Sequence, residues 1–292
     1  RIIIAAMAMG AALVAVGAAW ALTLLGALVF GAGYGGSTVI YNRRFLNSFG
    51  PRGPAMVGMV NAVFGLGAIC APLVFVALNS DPQITFALVT VLAALTWLGA
   101  GRAGMEEMPA AAEVGNFRPR FGILTFGVIA IAVEACLIGL GPTALIAAGE
   151  TEVHAAQLMS MFFVAFLVVR IGLLWLADAF APFTILVTAL FGAGVCAVGA
   201  ALVSPAFFFV ALGAFTGLFF PPYYVTATAI MGNDARVSPT IIASGLVGGI
   251  VSPLLLGGLM ALVGDHVFFW VIAAMALGLA GVGFLMRDKM GR

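Results

Sequence analysis

Glu134 is the only acidic residue near the middle of a long apolar segment, here residues 121–147. A charge at the centre of a bilayer costs roughly 2.5–3.5 kcal/mol on insertion scales, so an intramembrane carboxylate is by default a functional candidate. Such a group can load and release a proton, or it can contact a polar solute. The alternative is a permanently protonated carboxyl group that is hydrogen-bonded to a neighbouring helix.

A second candidate is the segment GAGYGGSTVIYN, residues 31–42, which combines glycines with hydrogen-bonding side chains and carries no acidic or basic group. Tyr34, Thr38 and Tyr41 are spaced by four and three residues, so they share one helical face. Asn42 lies about 80° around the helix from Tyr34, at the edge of that face. We interpret this face as part of a polar solute site on a central cavity. The alternative is a hydrogen-bonded seam between two helices.

A third candidate is the segment TGLFFPPYYVTAT, residues 216–228. Its double proline, Pro221-Pro222, predicts a broken or kinked helix, because proline removes a backbone donor and clashes with the preceding turn. Discontinuous membrane helices often border ligand sites. Tyr223 and Tyr224, followed by two threonines, are therefore candidates for solute binding, and core packing is the alternative.

Two charged residues share the segment 155–177 and its exit. Arg170 lies about five turns into this segment, near an end where a long side chain can snorkel, and Asp178 follows where the segment ends. We interpret the two as a gate or a structural ion pair rather than as solute ligands. Asn61 and Gln157 are weaker candidates for solute binding.

The composition excludes a water-soluble globule. Hydrophobic residues form 64% of the 292 residues and charged residues only 8%, against about 25% charged in soluble domains. About ten apolar runs are long enough to approach the roughly 30 Å of a hydrocarbon core. They must be helical, because backbone polar groups that face lipid need partners within their own segment. The runs lie near residues 2–17, 19–42, 54–79, 84–101, 121–147, 155–177, 183–203, 206–230, 240–263 and 267–286.

Charge placement predicts the topology. If the runs alternate in direction, every one of the 12 basic residues except Arg170 falls on one side of the membrane. The opposite connections contain Asp81, Glu150, Glu152 and Asp265 and no lysine or arginine. By the positive-inside rule, both ends of the chain are cytoplasmic. We expect a multi-pass monomer in the bacterial cytoplasmic membrane, with the lipid bilayer and a small solute as partners and no nucleic acid.

The longest connection, residues 102–120, mixes charges of both signs with two prolines and is interpreted as a cytoplasmic linker. It separates four runs, in residues 1–101, from six runs, in residues 121–292. The third run, MVNAVFGLGAICAP (59–72), and the ninth, ASGLVGGIVSP (243–253), both place closely spaced glycines ahead of a proline. An offset of six runs is typical of transporters built from two parallel six-helix halves.

These features together resemble the major facilitator superfamily, and within it the fucose-permease-like sugar symporters. The fourth helix of that group reads G-x-G-x-G-x-x-D-x-x-x-N, and residues 31–42 match its glycines and Asn42 in register, with Thr38 in place of the aspartate. The fifth helix resembles NAVFGLGAICAP (61–72), with Asn61 in place of a histidine. The seventh often carries a glutamate, which AVEACLIGLGPTAL (132–145) supplies as Glu134. The stretch VVRIGLLWLADAFAP (168–182) is similar to a cytoplasmic signature of the superfamily, with Ala179 in place of its usual arginine.

The resemblance implies an all-α membrane protein with two parallel helical-bundle halves. It aligns the first run here with the third helix of the family, so we expect about ten of twelve transmembrane helices and an N-terminal half, 1–101, that lacks two. The family aspartate can exchange a proton, whereas Thr38 cannot titrate. Proton coupling through this helix is therefore not expected, and Glu134 becomes the candidate.

The resemblance implies secondary active transport of a small polar organic solute, for which a sugar is the leading candidate, with protons as the candidate coupling ion. An exporter of amphipathic compounds or drugs is the alternative, compatible with Phe-rich segments such as 207–209. A membrane enzyme is not expected, because the one acidic pair, Glu106-Glu107, is isolated in a loop. No cofactor or metal is expected, since the three cysteines lie in separate apolar runs without the spacing of a metal site.

Overall fold

The structure is a computed structural model that describes residues 1–79, 81–100, 117–232 and 234–290, and all regular elements in these ranges are helical. Two short 3-10 turns, Gly50–Arg52 and Asp265–Val267, accompany the α-helices. The α-helices are α1 (Ile2–Val16), α2 (Trp20–Ser48), α3 (Gly53–Ala77), α4 (Pro82–Gly99), α5 (Phe121–Ala147), α6 (Glu152–Ala179), α7 (Pro182–Leu202), α8 (Pro205–Thr216), α9 (Phe220–Met231), α10 (Val237–Val263) and α11 (Phe268–Met290).

The helices correspond run by run to the ten apolar segments predicted from the sequence. Within the described ranges, nine segments are long and apolar enough to cross a membrane, and α8 and α9 together form one of them. The tenth, α1, has 15 residues, which at 1.5 Å per residue gives a rise of about 23 Å. The all-helical fold class is therefore confirmed.

The division of the long N-terminal apolar run is set by Gly17. This residue has a φ of 60°, in the left-handed region, and caps the C-terminus of α1 by donating its N–H to the carbonyl of Val14. Side chains rarely adopt this conformation, so glycine is the usual residue at such a helix end. The structure thus confirms the predicted split near residues 17–18.

The described residues form two compact units. Unit 1 contains those of Arg1–Arg44 and Gly67–Ala110, and unit 2 contains those of Phe45–Leu66 and Ala111–Arg292. The predicted linker, 102–120, lies mostly outside the described residues. The division into 1–101 and 121–292 therefore stays a prediction.

In unit 1, glycines allow α1 and α2 to approach each other closely. A Cβ at Gly33 would lie 2.6 Å from the carbonyl oxygen of Ile3, and one at Gly26 would lie 2.8 Å from that of Gly10. By contrast, a Cβ at Gly31 or Gly35 would meet no atom within 4 Å. Gly33 therefore allows the close contact between α1 and α2, whereas Gly31 and Gly35 of the same segment do not take part in it.

In unit 2, α5 packs on α10, α7 on α11, and α6 on α8. The α5–α10 crossing is closest at Gly248, where a Cβ would overlap the carbonyl oxygen of Val128. Ten residues further along α10, a Cβ at Gly258 would meet no atom within 4 Å. The crossing therefore requires glycine at one of these positions and tolerates a side chain at the other.

We expect Gly248→Ala to lower the free energy of unfolding by about 1–3 kcal/mol, because the added methyl group forces two helix backbones apart. Gly258→Ala in the same helix is the matched control and should not destabilise the protein. Thermal unfolding of the two purified variants in detergent measures the difference. Equal stability of the two would contradict the close crossing.

The segment 205–231 is broken, as its double proline predicts. Helix α8 ends at Thr216 and α9 begins at Phe220. Pro221 and Pro222 lie in the first turn of α9. Backbone amides in the first turn of a helix have no intrahelical acceptor, so a proline, which lacks the N–H, is tolerated there. The same two prolines cannot supply the amide donors that would continue α8.

Candidate functional site

The predicted polar face of α2 is present in unit 1, with its members in different environments. The rings of Tyr34 and Tyr41 are 43% and 40% exposed, whereas Asn42 is 2% exposed. Thr38 Oγ1 donates a hydrogen bond to the carbonyl of Tyr34 at 3.0 Å, and Asn42 Nδ2 donates to the carbonyl of Thr38 at 2.8 Å. Tyr34 and Tyr41 are therefore the exposed members of this face and Asn42 is buried. Solute binding at this face stays a prediction.

The two tyrosines predicted to bind solute in the segment 216–228 are instead buried between helices. Tyr223 and Tyr224 are both 0% exposed. Their hydroxyl groups lie 2.8 Å from the hydroxyl groups of Ser244 and Ser238 on α10. These contacts join α9 to α10, as the core-packing alternative predicts. Solute binding by the two tyrosines stays a prediction.

Tyr224→Phe is expected to lower the free energy of unfolding by about 1 kcal/mol, because it removes one buried hydrogen-bonding group from a helix–helix contact. Tyr41→Phe is the comparison, since it removes the same group from an exposed ring and should leave stability unchanged. Thermal unfolding in detergent tests both. A larger loss for Tyr41→Phe than for Tyr224→Phe would contradict the packing role of Tyr224.

Gln157 and Asp178 lie far from the middle of α6. Both are exposed. Measured along the helix, Gln157 lies about 20 Å before Arg170, and Asp178 lies about 12 Å after it. Among the described residues, Arg170 forms its ion pair with Glu134 and not with Asp178. In this structure Arg170 and Asp178 therefore do not form an ion pair, because a single side chain does not span two helical turns. Their role as a gate stays a prediction.

Arg170 is the most deeply buried charged residue of the described chain. It is 2% exposed, so it does not snorkel as predicted. Nε donates a hydrogen bond to the carbonyl oxygen of Gly217 at 3.0 Å, and Nη1 donates to the backbone carbonyl of Asn61 at 2.8 Å. The guanidinium carbon lies 4.0 Å from the centre of the Phe166 ring, at a distance where cations are attracted to aromatic faces.

Glu134 completes this cluster in unit 2. Its Oε1 lies 3.8 Å from Nη2 of Arg170, and its side chain is 12% exposed. Its other oxygen, Oε2, is buried and has no hydrogen-bond partner among the residues that the structure describes. The cluster therefore joins α5, α6, α3 and the α8–α9 break around one acid and one base. We call these residues, Asn61, Glu134, Arg170 and Gly217, the buried ion-pair cluster.

The two charges of the buried ion-pair cluster depend on each other. An isolated charge in a medium of low polarity costs several kcal/mol, and a partner of opposite sign with good hydrogen bonds offsets that cost. Arg170 has two backbone acceptors and an aromatic ring as well as Glu134. Glu134 has only one of its oxygens engaged, so it is the member with capacity for another donor.

Asn61 enters the cluster through its backbone. Its carbonyl accepts from Arg170, while its side-chain Nδ2 donates to the carbonyl of Val57 at 2.8 Å. The sequence singled out Asn61 as a solute contact and missed this role. It also missed Gly217 and Phe166, although one signal was available. Phe166 precedes Arg170 by four residues, the spacing at which helical side chains meet.

The described residues also border a small cavity in unit 2. All of its lining residues are apolar, so it offers no hydrogen-bonding side chain to a polar solute. The lining residues are Pro54, Leu173, Ala177, Pro182, Ile185, Pro221, Pro222 and Val225.

Comparison with solved structures gives this chain the fold of major facilitator superfamily transporters. It is similar to the E. coli fucose:proton symporter FucP, in a point variant, with a TM-score of 0.77 and 16% identity over 96% of this chain and 83% of that chain. It is also similar to FucP in the outward conformation, with a TM-score of 0.76 and 17% identity over 96% of this chain and 82% of that chain.

A third similar structure is the human organic anion transporter MFSD10 (TETRAN), with a TM-score of 0.76 and 14% identity over 96% of this chain and 75% of that chain. No family model matches the sequence, and no curated protein matches it. The all-helical fold expected from the resemblance is thereby confirmed.

Proposed function

We propose that this protein is a secondary active transporter that moves a small polar organic solute across the membrane by alternating access, coupled to protons through Glu134. The observation that carries the proposal is a carboxylate within a membrane-spanning helix, with one oxygen beside a buried arginine and the other without a partner. Intramembrane carboxylates of this kind mark proton relays and substrate paths. The fold, shared with known transporters, supports the same function.

The proposed solute carries hydroxyl groups, and a monosaccharide is the leading class. A carboxylate accepts hydrogen bonds from hydroxyl groups, and tyrosine rings with polar tips suit the mixed apolar and polar surface of a sugar. Within unit 2, Glu134 offers the first feature. Within unit 1, considered by itself, the exposed Tyr34 and Tyr41 offer the second. A similar solved structure is a fucose:proton symporter, which supports this class.

The proposed setting is the bacterial cytoplasmic membrane. The placement of basic residues puts both ends of this chain on the cytoplasmic side. The halves that rock against each other correspond to 1–101 and 121–292, with 102–120 as the connection. The proposed functional unit is a monomer.

Reconstituted protein tests the proposal. The purified protein is placed in proteoliposomes, and uptake of a panel of radiolabelled monosaccharides, L-fucose first, is measured with and without an inside-alkaline pH gradient. At least one sugar should accumulate above its external concentration only while the gradient is present, and a protonophore should release it. If no sugar accumulates and the protein instead extrudes a hydrophobic dye, the exporter of amphipathic compounds replaces this proposal.

A further inference from the structure

The break between α8 and α9 leaves a backbone carbonyl in need of a donor. In a continuous helix the carbonyl of Gly217 would accept from the amide four residues later. That residue is Pro221, which has no N–H. A backbone carbonyl without a donor inside a bilayer costs several kcal/mol. The sequence itself therefore creates the acceptor at Gly217.

Arg170 supplies the missing donor through its Nε, 3.0 Å from the Gly217 oxygen. It can do so because α6 and α8 approach closely along two glycines. A Cβ at Gly213 would overlap the carbonyl of Phe162, and one at Gly217 would lie 2.7 Å from the carbonyl oxygen of Phe166. Arg170 follows Phe166 by one turn, so its side chain reaches the carbonyl at the break.

The geometry of the guanidinium group links this hydrogen bond to Glu134. Its nitrogens form a rigid planar fork, unlike the single nitrogen of lysine. With Nε on Gly217 and Nη1 on Asn61, the position of Nη2 is fixed. Nη2 is the nitrogen that faces Oε1 of Glu134. The two backbone carbonyls thus determine where positive charge meets the carboxylate.

We propose that Arg170 is a positioning residue for Glu134, and that Pro221 acts on this carboxylate through the Gly217 carbonyl and Arg170. Nη2 of Arg170 places positive charge 3.8 Å from Oε1 and thereby leaves Oε2 as the oxygen that receives the proton or the hydroxyl group of a solute. The consequence of this inference for transport rests on the proposed function. The arrangement of Gly217, Arg170 and Glu134 does not depend on transport and can be tested without a solute.

Infrared spectroscopy of the purified protein in lipid tests the positioning. The difference between the wild type and Glu134→Gln at alkaline pH assigns the two carboxylate stretching bands of Glu134. A carboxylate held through one oxygen has a wide separation between these bands, and a symmetric one has a narrow separation. Arg170→Lys keeps the charge, but its donors all lie on one nitrogen and do not reproduce the planar fork that faces Gly217, Asn61 and Glu134. We therefore expect the separation to narrow.

Pro221→Ala is the decisive variant, because it leaves Arg170 and Glu134 unchanged and restores an amide donor near the Gly217 carbonyl. It adds no bulk and is expected to fold. We expect the band separation of Glu134 to narrow here as well. Pro205→Ala is the matched control, since Pro205 begins α8 in the same segment and has no link to Arg170; its bands should match the wild type.

Two results would overturn the proposal. One is a band separation in Pro221→Ala that equals that of the wild type and of Pro205→Ala. The other is the absence of any ionised Glu134 band at alkaline pH, which would make Glu134 a permanently protonated group. Because no solute and no gradient enter the measurement, its failure is distinct from failure of the uptake experiment.

Discussion

Arg170→Gln is expected to lower the free energy of unfolding by about 3–5 kcal/mol, the range seen when one partner of a buried ion pair is removed. The change leaves Glu134 without its counterion and removes donors from the carbonyls of Asn61 and Gly217. The yield of monodisperse protein in detergent and its thermal unfolding temperature both report the loss. This is one of the two largest effects that we expect of a single substitution.

Two further variants test whether the loss of stability comes from the buried ion pair or from the removal of an arginine in general. Arg236→Gln removes an exposed arginine that pairs with Asp234, and surface pairs of this kind contribute little to stability. The double variant Arg170→Gln with Glu134→Gln should lose less stability than the sum of its two single changes, by about 0.5–3 kcal/mol. Strict additivity in this cycle, or an Arg170→Gln variant as stable as Arg236→Gln, would contradict the buried ion pair.

Glu134→Gln is expected to abolish accumulation driven by a pH gradient. Glutamine preserves the shape of the side chain and its ability to form hydrogen bonds, but it cannot take up a proton. At one proton per solute, a gradient of about 2 pH units allows up to about 100-fold accumulation, since each 1.4 kcal/mol is a factor of ten. In the variant, the internal concentration should only equal the external one.

The uptake experiment must distinguish a loss of proton coupling from a loss of folded protein. Glu134→Gln leaves Arg170 uncompensated, so uptake is normalised to folded protein, and the double variant with Arg170→Gln provides an electrically neutral pair. Glu150→Gln is the matched control, because it removes an acidic residue outside the membrane-spanning segments and should accumulate solute as the wild type does. Unchanged accumulation in both Glu134→Gln and the double variant would remove Glu134 from the coupling mechanism.

The helical segments were predictable because their signals are local. The length of each apolar run is bounded by the thickness of a bilayer, and glycine and proline mark ends through their own backbone geometry. Gly17 ends α1 where the sequence predicted a boundary, and Pro221 lies just after the predicted break. Each of these features depends on a few neighbouring residues and not on tertiary packing.

The partners of Arg170 were not predictable in the same way. The nearest acidic residue after it in sequence is Asp178, but Glu134 pairs with it because α5 and α6 lie side by side. The roles of Tyr223 and Tyr224 also depend on which side of α9 meets α10. A tyrosine on a membrane helix suits a solute site or a helix seam equally well, and only the serines opposite decide between them.

Thr38 is a case in which sequence and structure agree on what a residue cannot do. Its side chain has no titratable group, and in the structure its hydroxyl donates to the carbonyl of Tyr34. The threonine in place of the aspartate of the family pattern therefore excluded proton exchange by Thr38 from the sequence alone, without knowledge of its contacts. The unpartnered oxygen of Glu134, by contrast, follows from packing alone.

The dependence of the α8–α9 break on Arg170 also bears on how the chain assembles during synthesis. A segment with a carbonyl that its own amides cannot satisfy is not a self-sufficient inserting unit in lipid. Arg170, which donates to this carbonyl, is translated 47 residues earlier. Asn61 and Glu134, which contact the same guanidinium group, are translated earlier still. The order of translation therefore brings Arg170 and its other partners into the membrane before the α8–α9 segment leaves the ribosome.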